Sequence, residues 1–130
     1  GAADLAKYLS SQKVPLAIAT SMKHAEARHH LDATGLSPYF QIVAARDDVA
    51  QGKPYPDVYF KAMSMLGSAP ASCVALEDSF NGVRAAHAAG AMTIMVPDVQ
   101  IPTMEIEGFC VQVARYLYKV KGILSASTDP

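Results

Sequence analysis

The feature that most constrains this chain is the recurrence of short, wholly apolar runs between segments of helical period. VPLAIAT (residues 14–20), SCVALE (72–77) and AMTIMV (91–96) are apolar on both alternating faces, whereas a strand with one face in water alternates apolar and polar residues. Such strands need cover on both sides, and helices supply it. Residues 3–12 place Leu5, Tyr8 and Leu9 on one helical face, and 22–35, 56–67 and 80–89 read as further helices. Gly35 suits a C-terminal cap and Pro56 a first helical turn. SPYFQIVAA (37–45) leads into a strand around 41–44, and DDVAQGKPYP (47–56) reads as a loop. The alternation predicts an α/β fold built on a doubly wound parallel sheet. Beyond residue 96, PDVQIPTMEIEG reads as a polar loop, followed by a short strand in FCVQV and a helix over 114–124.

A chain of 130 residues with 51% hydrophobic content suits one domain with a real core. Eleven basic against twelve acidic residues give a formal charge of -1 without a Lys/Arg cluster. That leaves no electrostatic footprint for nucleic acid or an anionic membrane, so any phosphate site is local. Cys73 and Cys110 form no Cys-x-x-Cys pair and lie in apolar runs, where free cysteine behaves as a small hydrophobe. The first residues lack a signal peptide's basic start and apolar middle, and no apolar stretch is long enough to cross a bilayer. A cytoplasmic location is the expectation.

In doubly wound sheets ligands bind beyond the carboxyl ends of the strands. Read in order, those positions hold Thr20-Ser21, the Lys53 loop and Glu77-Asp78. Thr20 and Ser21 place a hydroxyl and backbone N–H groups where a helix opens, an arrangement that suits a phosphate; an ordinary N-cap explains the dipeptide alone equally well. Lys53 follows Gly52, expected to allow a sharp turn, and precedes Pro54 and Pro56, which stiffen the segment. A lysine so held is a fixed charge able to neutralise a phosphoryl oxygen and pair with a carboxylate. Two adjacent acids at a strand tip repel one another and invite a cation, with Mg²⁺ the candidate. The competing reading has Asp78 or Ser79 merely capping the helix that begins near Phe80.

This set, in this order, resembles the haloacid dehalogenase (HAD) superfamily of phosphohydrolases and phosphomutases, especially its β-phosphoglucomutase-like branch. AIATS (17–21), GKPYPDVY (52–59) and ALEDSFNGVRAAHAAG (75–90) look like the second, third and fourth family motifs. The resemblance implies a HAD-like Rossmannoid core. It makes Thr20 and Ser21 the phosphate-binding pair, Thr20 and Lys53 catalytic groups, Asp78 a Mg²⁺ ligand, and Glu77 a ligand or supporting acid. The implied substrate is a small phosphorylated metabolite such as a sugar phosphate. Family members begin with a strand carrying Asp-x-Asp, whose first Asp attacks the phosphoryl group, and a helical cap follows it. Neither occurs here. The 130 residues are therefore expected to be the C-terminal part of such a core domain, with the missing N-terminal segment of the same protein as partner. On its own the chain is expected to be inactive. The absent strand belongs between those ending at Thr20 and Glu77, so the sheet is expected to be split there.

A rival from another class is a non-catalytic phosphate-binding or docking module, favoured by the absent Asp-x-Asp and disfavoured by retention of Thr20, Lys53, Glu77 and Asp78 together. A receiver-type signalling domain expects its acids at the first strand and its lysine after the last, contrary to this order. His24, His29, His30 and His87 are read as surface or packing residues. Asn81 is read as reinforcing the helix cap, with orientation of a metal-bound water as the alternative, and Met63, Met65, Met92 and Met95 are read as core. Asp98 is read as a turn residue or a support for the metal site.

Overall fold

Five short parallel-paired strands and five helices alternate along the computed structural model, which describes residues 2–97, 102–110 and 112–113. The helices are α1 (Ala2–Ser11), α2 (His24–Thr34), α3 (Asp57–Leu66), α4 (Phe80–Ala88) and α5 (Met104–Phe109). The strands are β1 (Ala17–Ala19), β2 (Ile42–Ala44), β3 (Val74–Glu77), β4 (Met92–Met95) and β5 (Gln112–Val113). All the observed pairing is parallel: β1 with β2, and β4 between β3 and β5. Among the described residues the strands form two sheets, β1-β2 and β3-β4-β5, with no ladder joining β1 to β3. The break falls at the expected place.

The period-two alternation of the strands assigns the helices to two layers. Ala44 and Ala75 are buried with Val58, Tyr59, Ala62 and Met63 of α3 and with Ala85 and Ala86 of α4, while Ala17 and Ala19 pack against the same cluster. The strand side chains facing this layer are mostly alanines, so two helices lie close to both sheets and carry the core across the break. On the opposite face, Ala27 and Leu31 of α2 meet Val43 and Ile18, and Leu5 and Leu9 of α1 meet Ile94 and Leu76. A fourth cluster joins Val83, Met95 and Ile106.

Helix ends follow the sequence. Gly35 and Gly67 close α2 and α3 in the left-handed conformation, at φ 75° and 69°. Ser79 starts α4 by accepting the Gly82 N–H at 3.1 Å, which settles the cap in favour of Ser79. Other expectations need correction. The run 14–20 yields only three strand residues, because β2 offers three partners. The segment PDVQIPTMEIEG, expected as loop, and Phe109, expected as strand, contain α5, before which the Thr103 side chain accepts the Ile106 N–H at 3.3 Å. Met63 and Met95 are core, but Met65 and Met92 are exposed. The tail helix expected over 114–124, and Asp98, lie outside the described residues. No helix among the described residues is long and apolar enough to cross a membrane.

Candidate active site

Three strand-end segments converge at the carboxyl side of the two sheets, and Lys53 is the residue that joins them. Its ammonium donates to the Ala19 carbonyl at 3.1 Å, at the end of β1. It also forms an ion pair with Glu77 Oε1, at the end of β3. The two side chains are 11% and 7% exposed, so the pair is largely withdrawn from solvent screening. The expected pairing of the lysine with a carboxylate is thus present. The loop carrying it contains a cis Lys53–Pro54 peptide bond, and the Gln51 N–H reaches the Asp57 carboxylate at 3.3 Å at the start of α3.

Glu77 has a second donor that the sequence reading missed. The Tyr59 hydroxyl, on the buried face of α3, donates to the same Oε1 at 2.5 Å, and the Lys53 ammonium lies 5.3 Å from the centre of the Tyr59 ring. Burial, and then the Glu77 charge, hold the Tyr59 phenol well above its ordinary pKa of 10.0, which keeps it a donor. Glu77 is accommodated because residue 82 is glycine: a Cβ there would collide with both carboxylate oxygens. The spacings in GKPYPDVY and EDSFNG acquire a physical meaning. Lys53 and Tyr59, six residues apart, approach one carboxylate, and Gly82, five beyond Glu77, leaves it room.

Asp78 is exposed next to this buried pair. Thr20 continues the β1 ladder through its N–H to the Ala44 carbonyl at 3.0 Å, and its hydroxyl oxygen accepts the Met22 N–H at 3.1 Å. The expectation that Thr20-Ser21 open a helix is corrected, since α2 begins at His24 and its first N–H is taken by Asp47 Oδ1 at 2.7 Å. Thr20 instead follows β1 directly, and Ser21 with Met22 forms the bend before α2. Gly52 opens the expected turn, its carbonyl accepting the Tyr55 N–H at 3.0 Å. It has no positive φ, and a Cβ there would strike the Arg46 side chain.

A cleft of about 330 Å³ opens among Ser21, Lys53, Ser79, Phe80, Asn81 and Arg84. Asn81 is therefore a cleft residue, and Arg84 adds a second cation that sequence reasoning did not single out. Arg84 reaches Glu105 of α5 at 3.4 Å. His24, read as a surface residue, has a carboxylate partner: Nδ1 lies 3.0 Å from Asp48 Oδ2. That contact, with the Ala45 N–H, lowers the Asp48 pKa. His87 stacks on Phe109 at 4.6 Å. Cys73 and Cys110 are free and half-buried, and burial raises both thiol pKa values.

Among the described residues no group of three or more His, Cys, Asp or Glu side chains is arranged to hold a metal ion. Mg²⁺ does not require one: it is commonly bound through one or two carboxylates, with waters and substrate phosphate completing the shell. Asp78 with Glu77 beside it fits that mode as a partial donor set. Glu77 Oε1 already receives Lys53 and Tyr59, whereas Asp78 is exposed.

Comparison with known proteins identifies the family. The model of the haloacid dehalogenase-like hydrolase family matches residues 1–90. The protein CbbY of Rhodobacter capsulatus is 41% identical over 100 residues, 75% of this chain and 44% of that protein. The crystal structure of CbbY from Rhodobacter sphaeroides in complex with phosphate superposes with a TM-score of 0.82 at 33% identity, covering 91% of this chain and 53% of the other. A Thermotoga maritima protein provisionally assigned as a β-phosphoglucomutase gives 0.85 at 28% identity, over 95% and 57% of the two chains. The chain thus spans about half the length of the proteins it matches. With a family match over most of its length and the same fold, this chain belongs to the haloacid dehalogenase-like hydrolases, in their β-phosphoglucomutase-like branch.

Proposed function

We propose that these residues form the phosphate-holding and charge-neutralising part of a phosphoryl-transfer site acting on small phosphorylated metabolites, sugar phosphates foremost. The observation that carries the reading is the Lys53 ammonium, held between the Ala19 carbonyl and Glu77 at the rim of the cleft. Two of its three N–H donors have protein partners, leaving one for a phosphoryl oxygen. Ser21, which lines the cleft, and the neighbouring Thr20 hydroxyl would hold the phosphoryl group. Lys53 would offset the charge on its equatorial oxygens, the main way such sites lower a barrier. Asp78 would hold Mg²⁺, with Glu77 as its supporting acid. When bound, the ion would supply further neutralisation of phosphoryl charge.

The nucleophile would be an aspartate on a strand entering between β1 and β3, whose facing edges carry no ladder to one another. Its carboxylate oxygen would bond to phosphorus as the ester P–O bond breaks and the leaving oxygen takes a proton. Water would then hydrolyse the aspartyl-phosphate, or a sugar hydroxyl would accept the phosphoryl group. CbbY in complex with phosphate and the β-phosphoglucomutase assignment of a structural neighbour support this substrate chemistry. On this reading the chain is the C-terminal part of a core domain and is inactive alone.

The test is phosphate release from a panel of sugar phosphates, run with the protein that carries these residues together with the nucleophile strand. Lys53→Ala and Asp78→Asn should each lower kcat by about 10²–10³-fold, the scale for removing one electrostatic stabiliser, with circular dichroism unchanged. Wild-type rates in either variant refute the assignment.

A further inference from the structure

The Tyr59 hydroxyl is out of place by composition. It sits on the face of α3 that packs with Val58, Ala62 and Met63 into the main core, where phenylalanine would fill the same volume without a buried polar atom. A buried hydroxyl costs free energy unless it is bonded, and this one is spent on Glu77 Oε1. That oxygen is also the one Lys53 uses. A flexible lysine and a carboxylate left to themselves would move together as a pair. A rigid phenol on a core helix instead fixes Oε1 from a third direction, while the ring below fixes the ammonium.

We propose that Tyr59 is a positioning residue for Lys53, acting through Glu77 to keep the one uncommitted ammonium N–H directed into the cleft. The proposal rests on the reading of Lys53 as the phosphate-directed cation. It predicts that Tyr59 and Lys53 behave as one unit toward an anion, whereas a tyrosine that merely fills the core contributes independently of Lys53.

The experiment is isothermal titration of the full chain with inorganic phosphate, in wild type, Tyr59→Phe, Lys53→Ala and the double variant. Tyr59→Phe should weaken phosphate about 10-fold, the lower end of what orienting partners of a site residue contribute. Lys53→Ala should weaken it further, and adding Tyr59→Phe to Lys53→Ala should change nothing. A silent Tyr59→Phe beside a damaging Lys53→Ala overturns the proposal and leaves the Lys53 reading intact. So does an equal loss from Tyr59→Phe in both backgrounds. A silent Lys53→Ala overturns the Lys53 reading, and this proposal with it. A second measurement needs no variant: the hydroxyl proton resonance of Tyr59 in the wild-type chain should shift on phosphate saturation, and an unmoved resonance overturns the coupling.

Discussion

Replacing Gly82 with alanine separates two physical effects of opposite sign. Gly82 lies in the first turn of α4, where helix propensity alone makes alanine more stable by up to about 1 kcal/mol. The added Cβ, however, falls on both oxygens of Glu77, whose carboxylate is held by Lys53 and Tyr59 and sits at 7% exposure. Either α4 moves away from β3, an overpacking cost of about 1–3 kcal/mol, or Glu77 swings out and leaves buried donors unpaired, at about 1–3 kcal/mol each. The cheaper route sets the cost, so its mid-range value less the propensity gain leaves a net loss of about 1–2 kcal/mol. For a chain of this size that lowers Tm by roughly 4–10 °C, at about 4–5 °C per kcal/mol. The assay is thermal unfolding followed by far-ultraviolet circular dichroism. Gly108→Ala serves as control, since a Cβ at that α5 position meets nothing within 4 Å. A Gly82→Ala variant that melts at or above wild type refutes the claim that Glu77 is fixed against α4.

Two further outcomes follow from the same geometry. Ser79→Ala removes the acceptor of the Gly82 N–H and should cost about 0.5–2 kcal/mol of stability, measured by urea titration with an unchanged m-value. The elevated Tyr59 pKa sets an alkaline limit. Below pH 10.0 the phenol is neutral folded and unfolded and contributes no slope, while above it the unfolded chain releases a proton that the folded one retains, so stability falls as pH rises. Absorbance at 295 nm should show one tyrosine ionising only with loss of circular dichroism, and Tyr59→Phe should flatten that slope; complete titration of all six tyrosines in a folded chain excludes the buried hydrogen bond.

The strand ends were legible because a strand buried on both faces leaves a run of apolar residues whose last polar neighbours stand out, as in VALED and AIATS. The same logic located the break between β1 and β3, once the family resemblance said which strand was absent. What escaped were contacts made across the fold. Tyr59 reads in sequence as an aromatic on an apolar helical face, and nothing local marks its hydroxyl as the partner of a residue eighteen positions away. Gly52 reads as a turn residue and opens a turn, but nothing local shows that the Arg46 side chain also crosses it. Helix α5 was missed because six residues around a single buried Ile106 carry too little period to distinguish them from loop. The start of α2 was misplaced because Asp47, from the far side of β2, caps it.

The Lys53 ammonium is in contact with both half-sheets at once, through Ala19 on one and Glu77 on the other. A single side chain therefore serves as a seam of the architecture and as the charge at the rim of the cleft. A substitution that kept the charge but shortened the reach would lose the Ala19 contact, and one that kept the reach but lost the charge would leave Glu77 buried without a cation. On the proposed reading, the charge offered to phosphate and the contact that links the two sheets belong to the same atom, so neither can be altered without the other.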